Sequence, residues 1–161
     1  MSSKWVSKKS GFTIVELLIV IVVIGILAAI VLVAYNGTQE RARYAVMQSD
    51  LESLNKGILL YHAANGSYPV TTLSCITATP NQTLDIPGLV PDYMSKIPRM
   101  PSGGIGGVYA YCRSTNGVDY KIVRLVPSGQ TLPAIEQTNP NLDPQRPGRG
   151  WGHWSAGGTN L

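Results

Sequence analysis

From Phe12 to Tyr35 the chain carries one charged residue, Glu16. The 19 residues Leu17–Tyr35 are rich in Ile, Val and Leu and hold no charge at all. At 1.5 Å per residue a helix over them spans about 28 Å, close to the roughly 30 Å hydrocarbon core of a bilayer. After Gly37 the pattern changes. Tyr44, Met47, Leu51, Leu54, Ile58 and Tyr61 recur at alternating steps of three and four, while Glu40, Arg41, Arg43, Gln48, Asp50, Glu52 and Lys56 fall largely off that stripe. This is one apolar face on a helix, with Glu52 and Lys56 a favourable i,i+4 pair. The spacing predicts one long helix from Phe12 to about Ala64, apolar all round in its first half and on one face in its second. It would reach roughly 80 Å. Asn65-Gly66-Ser67-Tyr68-Pro69 stops it, because Asn-Gly favours a left-handed cap and Pro69 forbids continuation.

Beyond the helix the periodicity weakens. Residues 70–107 read as an irregular region with a short helical turn around Leu89–Pro98. Val108–Arg113 and Tyr120–Val126 are rich in Val, Tyr and Ile, and Asn116-Gly117 lies between them, so they read as a β-hairpin. A lone hairpin is marginal, and the sheet needs the helix stripe to cover it. From Pro127 to Leu161 Pro, Gly, Asn and Gln dominate. That composition predicts an extended or disordered tail. The fold class is therefore α+β: a long N-terminal helix packed on a small antiparallel sheet. Its segments are 1–11 (a leader), 12–35 (a transmembrane or assembly helix), 36–64 (its amphipathic continuation), 65–126 (a small head with the hairpin) and 127–161 (the tail).

Glu16 sets this apolar segment apart from an ordinary anchor. A lipid-facing carboxylate costs about 2.5–3.5 kcal/mol on insertion scales, and an anchor has no use for it. The position suggests a positive partner at the same depth; the alternative is that Glu16 lies shallow and is hydrated at the interface. Cleavage between Gly11 and Phe12 would create such a partner, the new α-amino group, either in the same chain one helical turn away or on a neighbouring copy. A secretory signal peptide has a shorter apolar run followed by a small-residue cleavage site. An uncleaved single-pass anchor is the plainer alternative.

Charge adds little. The 161 residues carry 13 Lys+Arg against 9 Asp+Glu, for a net charge of +4. Lys4, Lys8 and Lys9 lie in the first eleven residues, which hold no acid. The remainder has ten basic against nine acidic residues, or +1. The basic character belongs to the leader and is weak support for a nucleic-acid partner. The leader lysines agree with a cytoplasmic N-terminus, against the opposing pull of Arg41 and Arg43. Cys75 and Cys112 are a candidate disulfide in an exported domain. The bond would close a loop of about 38 residues and contribute roughly 3–4 kcal/mol. Two separate buried thiols are the alternative.

Gly11-Phe12-Thr13-Ile14-Val15-Glu16 behind Lys8-Lys9, followed by Ile24-Gly25-Ile26-Leu27-Ala28-Ala29-Ile30, resembles the class III signal of type IV pilins and type II secretion pseudopilins. Asn65-Gly66-Ser67-Tyr68-Pro69 is similar to the helix ending of small pseudopilins. The resemblance implies a pilin-like fold, cleavage after Gly11 by a prepilin peptidase, N-methylation of Phe12, and pairing of Glu16 with the Phe12 terminus of a neighbour during assembly. Many family members carry a proline late in the apolar helix, at the position of Val33 here. Any bend in this chain would have to use Gly25 or Asn36-Gly37. The calcium site of some pseudopilins does not transfer: Met100 stands where an acid is often found, and Asp85, Asp92 and Asp119 lack metal-loop spacing.

No nucleotide loop, nucleophile elbow or metal-ligand pair is visible, and His62 and His153 are the only histidines. The sequence therefore predicts no enzyme, no cofactor and no metal. The leading expectation is a structural subunit of a type IV pilus-like extracellular filament, a helical homo-oligomer. It would wait in the cytoplasmic or inner membrane until the peptidase and the pilus assembly machinery act. A pseudopilin of a type II secretion or DNA-uptake system is the alternative within the family. The third reading is a monomeric membrane-anchored binding protein using Arg146–Trp154, where cations and tryptophans interleave. Such a mix can stack on bases or sugars, or the tryptophans can simply tuck against the head.

Overall fold

The computed structural model describes residues 11–79, 82–103 and 105–161, with the backbone alone at 33, 34 and 36. The leader lysines Lys4, Lys8 and Lys9 lie outside the described residues. The elements run α1 (Ile14–Asn65), β1 (Cys75–Ala78), β2 (Val108–Arg113), β3 (Tyr120–Leu125), α2 (Ala134–Gln137), β4 (Gly150–Trp154) and a 3-10 helix (Gly157–Asn160). The chain divides into two compact units, residues 1–39 and 40–161.

In the first unit α1 is a bare apolar helix. Every described large hydrophobic side chain from Ile14 to Leu32 is exposed, from 48% at Val23 to 78% at Ile14. The helix is long and apolar enough to cross a membrane, and none of its apolar window is buried. It continues without a break through Gly25 and Gly37.

In the second unit the amphipathic stripe forms the core as the periodicity predicts. Leu51, Leu54 and Ile58 are fully buried, Met47 nearly so, and Tyr44 and Tyr61 pack at the edges. The helix ends at Asn65. Gly66 takes φ +71° and its N–H reaches the His62 carbonyl at 2.8 Å. The Asn65 side-chain amide donates to the Tyr61 carbonyl and the Tyr93 hydroxyl, both at 2.9 Å.

The sheet has four antiparallel strands in the order β1-β2-β3-β4. The β2–β3 hairpin matches the expected boundaries within a residue. Three tyrosines of the sheet tie it to the helical side. Tyr109 donates to Asp50 at 2.9 Å, Tyr120 to Asn55, and Tyr111 to the Pro69 carbonyl at 3.0 Å. Burial raises the pKa of each hydroxyl, that of Tyr120 to about 12.

Two expectations fail. Residues 70–107 are not wholly irregular, because Cys75–Ala78 adds a strand to the edge of β2. The Leu89–Pro98 piece forms a single turn, with Tyr93 N–H on the Leu89 carbonyl at 3.1 Å. The larger correction is at residues 127–161, which are neither extended nor disordered. They supply α2, β4 and the 3-10 helix. Sparse apolar anchors and buried ions order them in place of a periodic face. Leu132 and Trp151 are each 2% exposed. Glu136 faces Arg124 at 3.0 Å, and Asp143 faces Lys121 at 2.9 Å. Residues 141–143 run along the outer edge of β4 (Gly152 N–H to the Asn141 carbonyl, 3.0 Å; Asp143 N–H to the Gly150 carbonyl, 2.9 Å), which protects that edge from further pairing.

Candidate functional site

The residues expected to carry processing and assembly stand just before and inside the first turn of α1. Gly11 and Phe12 precede the helix and are exposed, Phe12 at 79%. A Cβ on Gly11 would meet nothing within 4 Å. Among the described residues the fold makes no demand for glycine there.

Thr13 and Glu16 form a reciprocal cap. The Glu16 N–H donates to Thr13 Oγ1 at 3.2 Å, and Glu16 Oε2 accepts from the Thr13 N–H at 2.8 Å and from its hydroxyl at 2.7 Å. This is the capping box, which satisfies two otherwise orphaned donors at a helix start. The Thr-x-x-Glu spacing was its signal in the sequence, and the expectation for Glu16 did not include it. Both bonds fall on Oε2. Oε1 has no partner among the described residues.

Cys75 and Cys112 belong to the other unit, where they are bonded to each other. They sit directly opposite in the β1–β2 register, so the bond fastens the four-residue edge strand to the sheet.

The remaining candidates have local roles. Asp119 accepts from the Ser155 hydroxyl at 2.7 Å and the Gly157 N–H at 3.1 Å, which pins the last turn of the chain. His62 stacks on Tyr68 with ring centres 4.2 Å apart. Among the described residues no three His, Cys, Asp or Glu side chains converge on a common point. The Arg146–Trp154 stretch divides. Arg146 pairs with Asp143 at 3.1 Å, Arg149 binds the Val126 carbonyl and Ser128, and Trp151 is buried with its N–H on Glu136 at 2.8 Å. Trp154 stays partly open.

Residues 6–32 match the family model described as the prokaryotic N-terminal methylation motif. The type II secretion system core protein G of Escherichia coli is 28% identical over 141 residues, covering 86% of this chain and 96% of that protein. That of Klebsiella michiganensis is 31% identical over 97 residues, covering 58% of this chain and 68% of that protein. That of Aeromonas hydrophila is 38% identical over 64 residues, covering 40% and 45%. No solved structure matches the chain.

Proposed function

The chain belongs to the family of the type II secretion system core protein G, and from that premise we propose that it is a pseudopilin, a non-enzymatic structural subunit of a secretion filament in the cell envelope. Of the two filament readings the sequence left open, the relatives favour the secretion subunit over the surface pilus fibre. The observation that carries the proposal is the methylation motif at 6–32 in a chain that aligns with 96% of a core protein G.

In this reading the precursor is held in the inner membrane by residues 12–35. A prepilin peptidase cuts after Gly11 and methylates the Phe12 amine. Assembly machinery then moves the helix from lipid into a bundle of identical helices, where neighbours cover its exposed apolar surface. Glu16 pairs there with the Phe12 terminus of an adjacent copy. The exposed 11–12 junction and the unused Oε1 of Glu16 support these roles.

The test is intact-mass and N-terminal analysis of native material. A species beginning at N-methyl-Phe12 that stays with the envelope supports the pseudopilin, and one recovered in sheared surface filaments favours a pilus. Retention of Met1 and the leader in native membranes refutes both. The Glu16→Ala variant is expected to insert and be cleaved normally but to give little filament. Normal filament yield from it would refute the pairing role.

A further inference from the structure

A cleft of about 420 Å³ opens between the Asn55–Leu59 turn of α1 and β4. Its size falls in the roughly 300–1,000 Å³ range of small-ligand sites. Partly open Trp154 contributes aromatic surface, Tyr68 is a buried wall, and Asn55, Asn141 and His153 contribute polar groups. We infer that this cleft binds a neutral glycan.

Several of its polar groups are uncommitted. Asn55 spends its carbonyl oxygen on the Tyr120 hydroxyl and keeps its amide donors. The side chain of Asn141, the His153 ring and the Trp154 N–H have no hydrogen-bond partner among the described residues. Amides offer donors and acceptors together, which suits ring hydroxyls that are both. The apolar C–H face of a pyranose in turn suits an aromatic ring.

The aromatic groups are held in place. Tyr68 is buried, stacked on His62 with centres 4.2 Å apart and tilted against Tyr120 at 4.4 Å, so it forms a fixed wall and the sugar face is left to Trp154. Lys121 Nζ lies 5.6 Å from the centre of the Trp154 ring. That ammonium is itself fixed by Asp143 and by the Thr159 and Leu161 carbonyls. A preorganised site loses less freedom on binding.

Charge selects the ligand class. Among the described residues no Asp, Glu, Lys or Arg lines the cleft, and burial lowers the His153 pKa against the opposing pull of Glu52. Single-stranded nucleic acid needs a cationic groove for its phosphates. The nearby cations Arg146 and Arg149 are spent on Asp143, Val126 and Ser128.

The experiment titrates the full chain, in a detergent without a sugar headgroup, with N-acetylchitotetraose, maltotetraose and a thymidine oligonucleotide. Binding is read by tryptophan fluorescence and saturation-transfer NMR. The expected result is saturable binding of a tetrasaccharide with a dissociation constant on the order of 0.1–1 mM. Trp154→Ala should weaken it about tenfold. Asn141→Ala removes an exposed side chain that makes no bond, and should weaken it about fivefold. Binding of the acetylated sugar alone points to cell-wall glycan as the source. Binding of both points to recognition of the polyhydroxyl ring itself. No saturation by either sugar, oligonucleotide binding in their place, or unchanged affinity in both variants overturns the proposal.

Discussion

Glu136 is the residue whose loss tests the account of residues 127–161 most directly. It is 2% exposed and faces Arg124, itself 1% exposed, across a 3.0 Å contact. Its Oε1 accepts from Arg124 Nη2 at 3.3 Å, and its Oε2 accepts the Trp151 indole N–H at 2.8 Å. Glu136→Ala would leave a buried guanidinium without its counter-ion and an indole N–H without its acceptor. Breaking a buried pair by removing one partner costs about 3–5 kcal/mol. The unpaired indole does not simply add to this, because the same carboxylate serves both groups.

For a domain of this size each kcal/mol moves the melting temperature by roughly 3–6 °C, so the expected drop is about 10–30 °C. Thermal and urea unfolding of the full chain in detergent, followed by tryptophan fluorescence, measures it. A double replacement, Arg124→Met with Glu136→Leu, should recover much of the loss, since an apolar pair has no charge to leave unsatisfied. A folded Glu136→Ala protein melting within about 3 °C of the parent would mean that α2 and β4 are peripheral, and the reasoning would be wrong.

Two further predictions concern the same unit. Cys112→Ser should cost about 3–4 kcal/mol by releasing the loop from Cys75 to Cys112; equal melting of parent and variant under non-reducing conditions would contradict this. The second concerns Asp143. Burial pushes its carboxyl up, but bonds from Lys121, Arg146 and the Gln145 N–H outweigh this and hold it below its ordinary value. A lowered folded pKa gives stability that is complete above the unfolded value of about 3.9 and disappears as the pH falls through the folded one. Between about pH 5 and pH 2 the parent's urea midpoint should therefore fall more steeply than that of Asp143→Asn; parallel curves would remove Asp143 from the acid response.

The parts of the fold that were legible rest on local patterns. The stripe from Tyr44 to Tyr61 needs only 3.6-residue periodicity, the stop at Gly66 needs only a residue that tolerates positive φ, and the hairpin needs β-branched runs around Asn-Gly. β4 escapes such reading because Gly-Trp-Gly-His-Trp lacks strand-forming residues at alternate positions. Its glycines have a tertiary cause. A Cβ on Gly152 would overlap the Ile122 carbonyl and Val123, so the close approach of β4 to β3 requires glycine. Glu136 and Asp143 look like surface acids in sequence. Only the fold brings Arg124 and Lys121 beside them. Composition therefore read as disorder a segment whose few anchors are all long-range.

Glu16 poses the opposite case, since its sequence position invited one role and its geometry supplies a second. A capping box alone would account for a glutamate three residues after Thr13. It does not account for placing that carboxylate in a segment otherwise without charge, where uncharged glutamine could fill the same position in the box. The cap and the proposed pairing do not compete for the same atom. The cap uses Oε2 twice, and an ionised carboxylate has further lone pairs on Oε1 to accept from an ammonium. In the proposed assembly a subunit would keep its own helix start closed while receiving a neighbour's terminus, with no bond of the cap broken. Glutamine at this position would preserve the cap and lose the charge. Glu16→Gln would therefore separate the cap from the proposed pairing, which alanine would remove together.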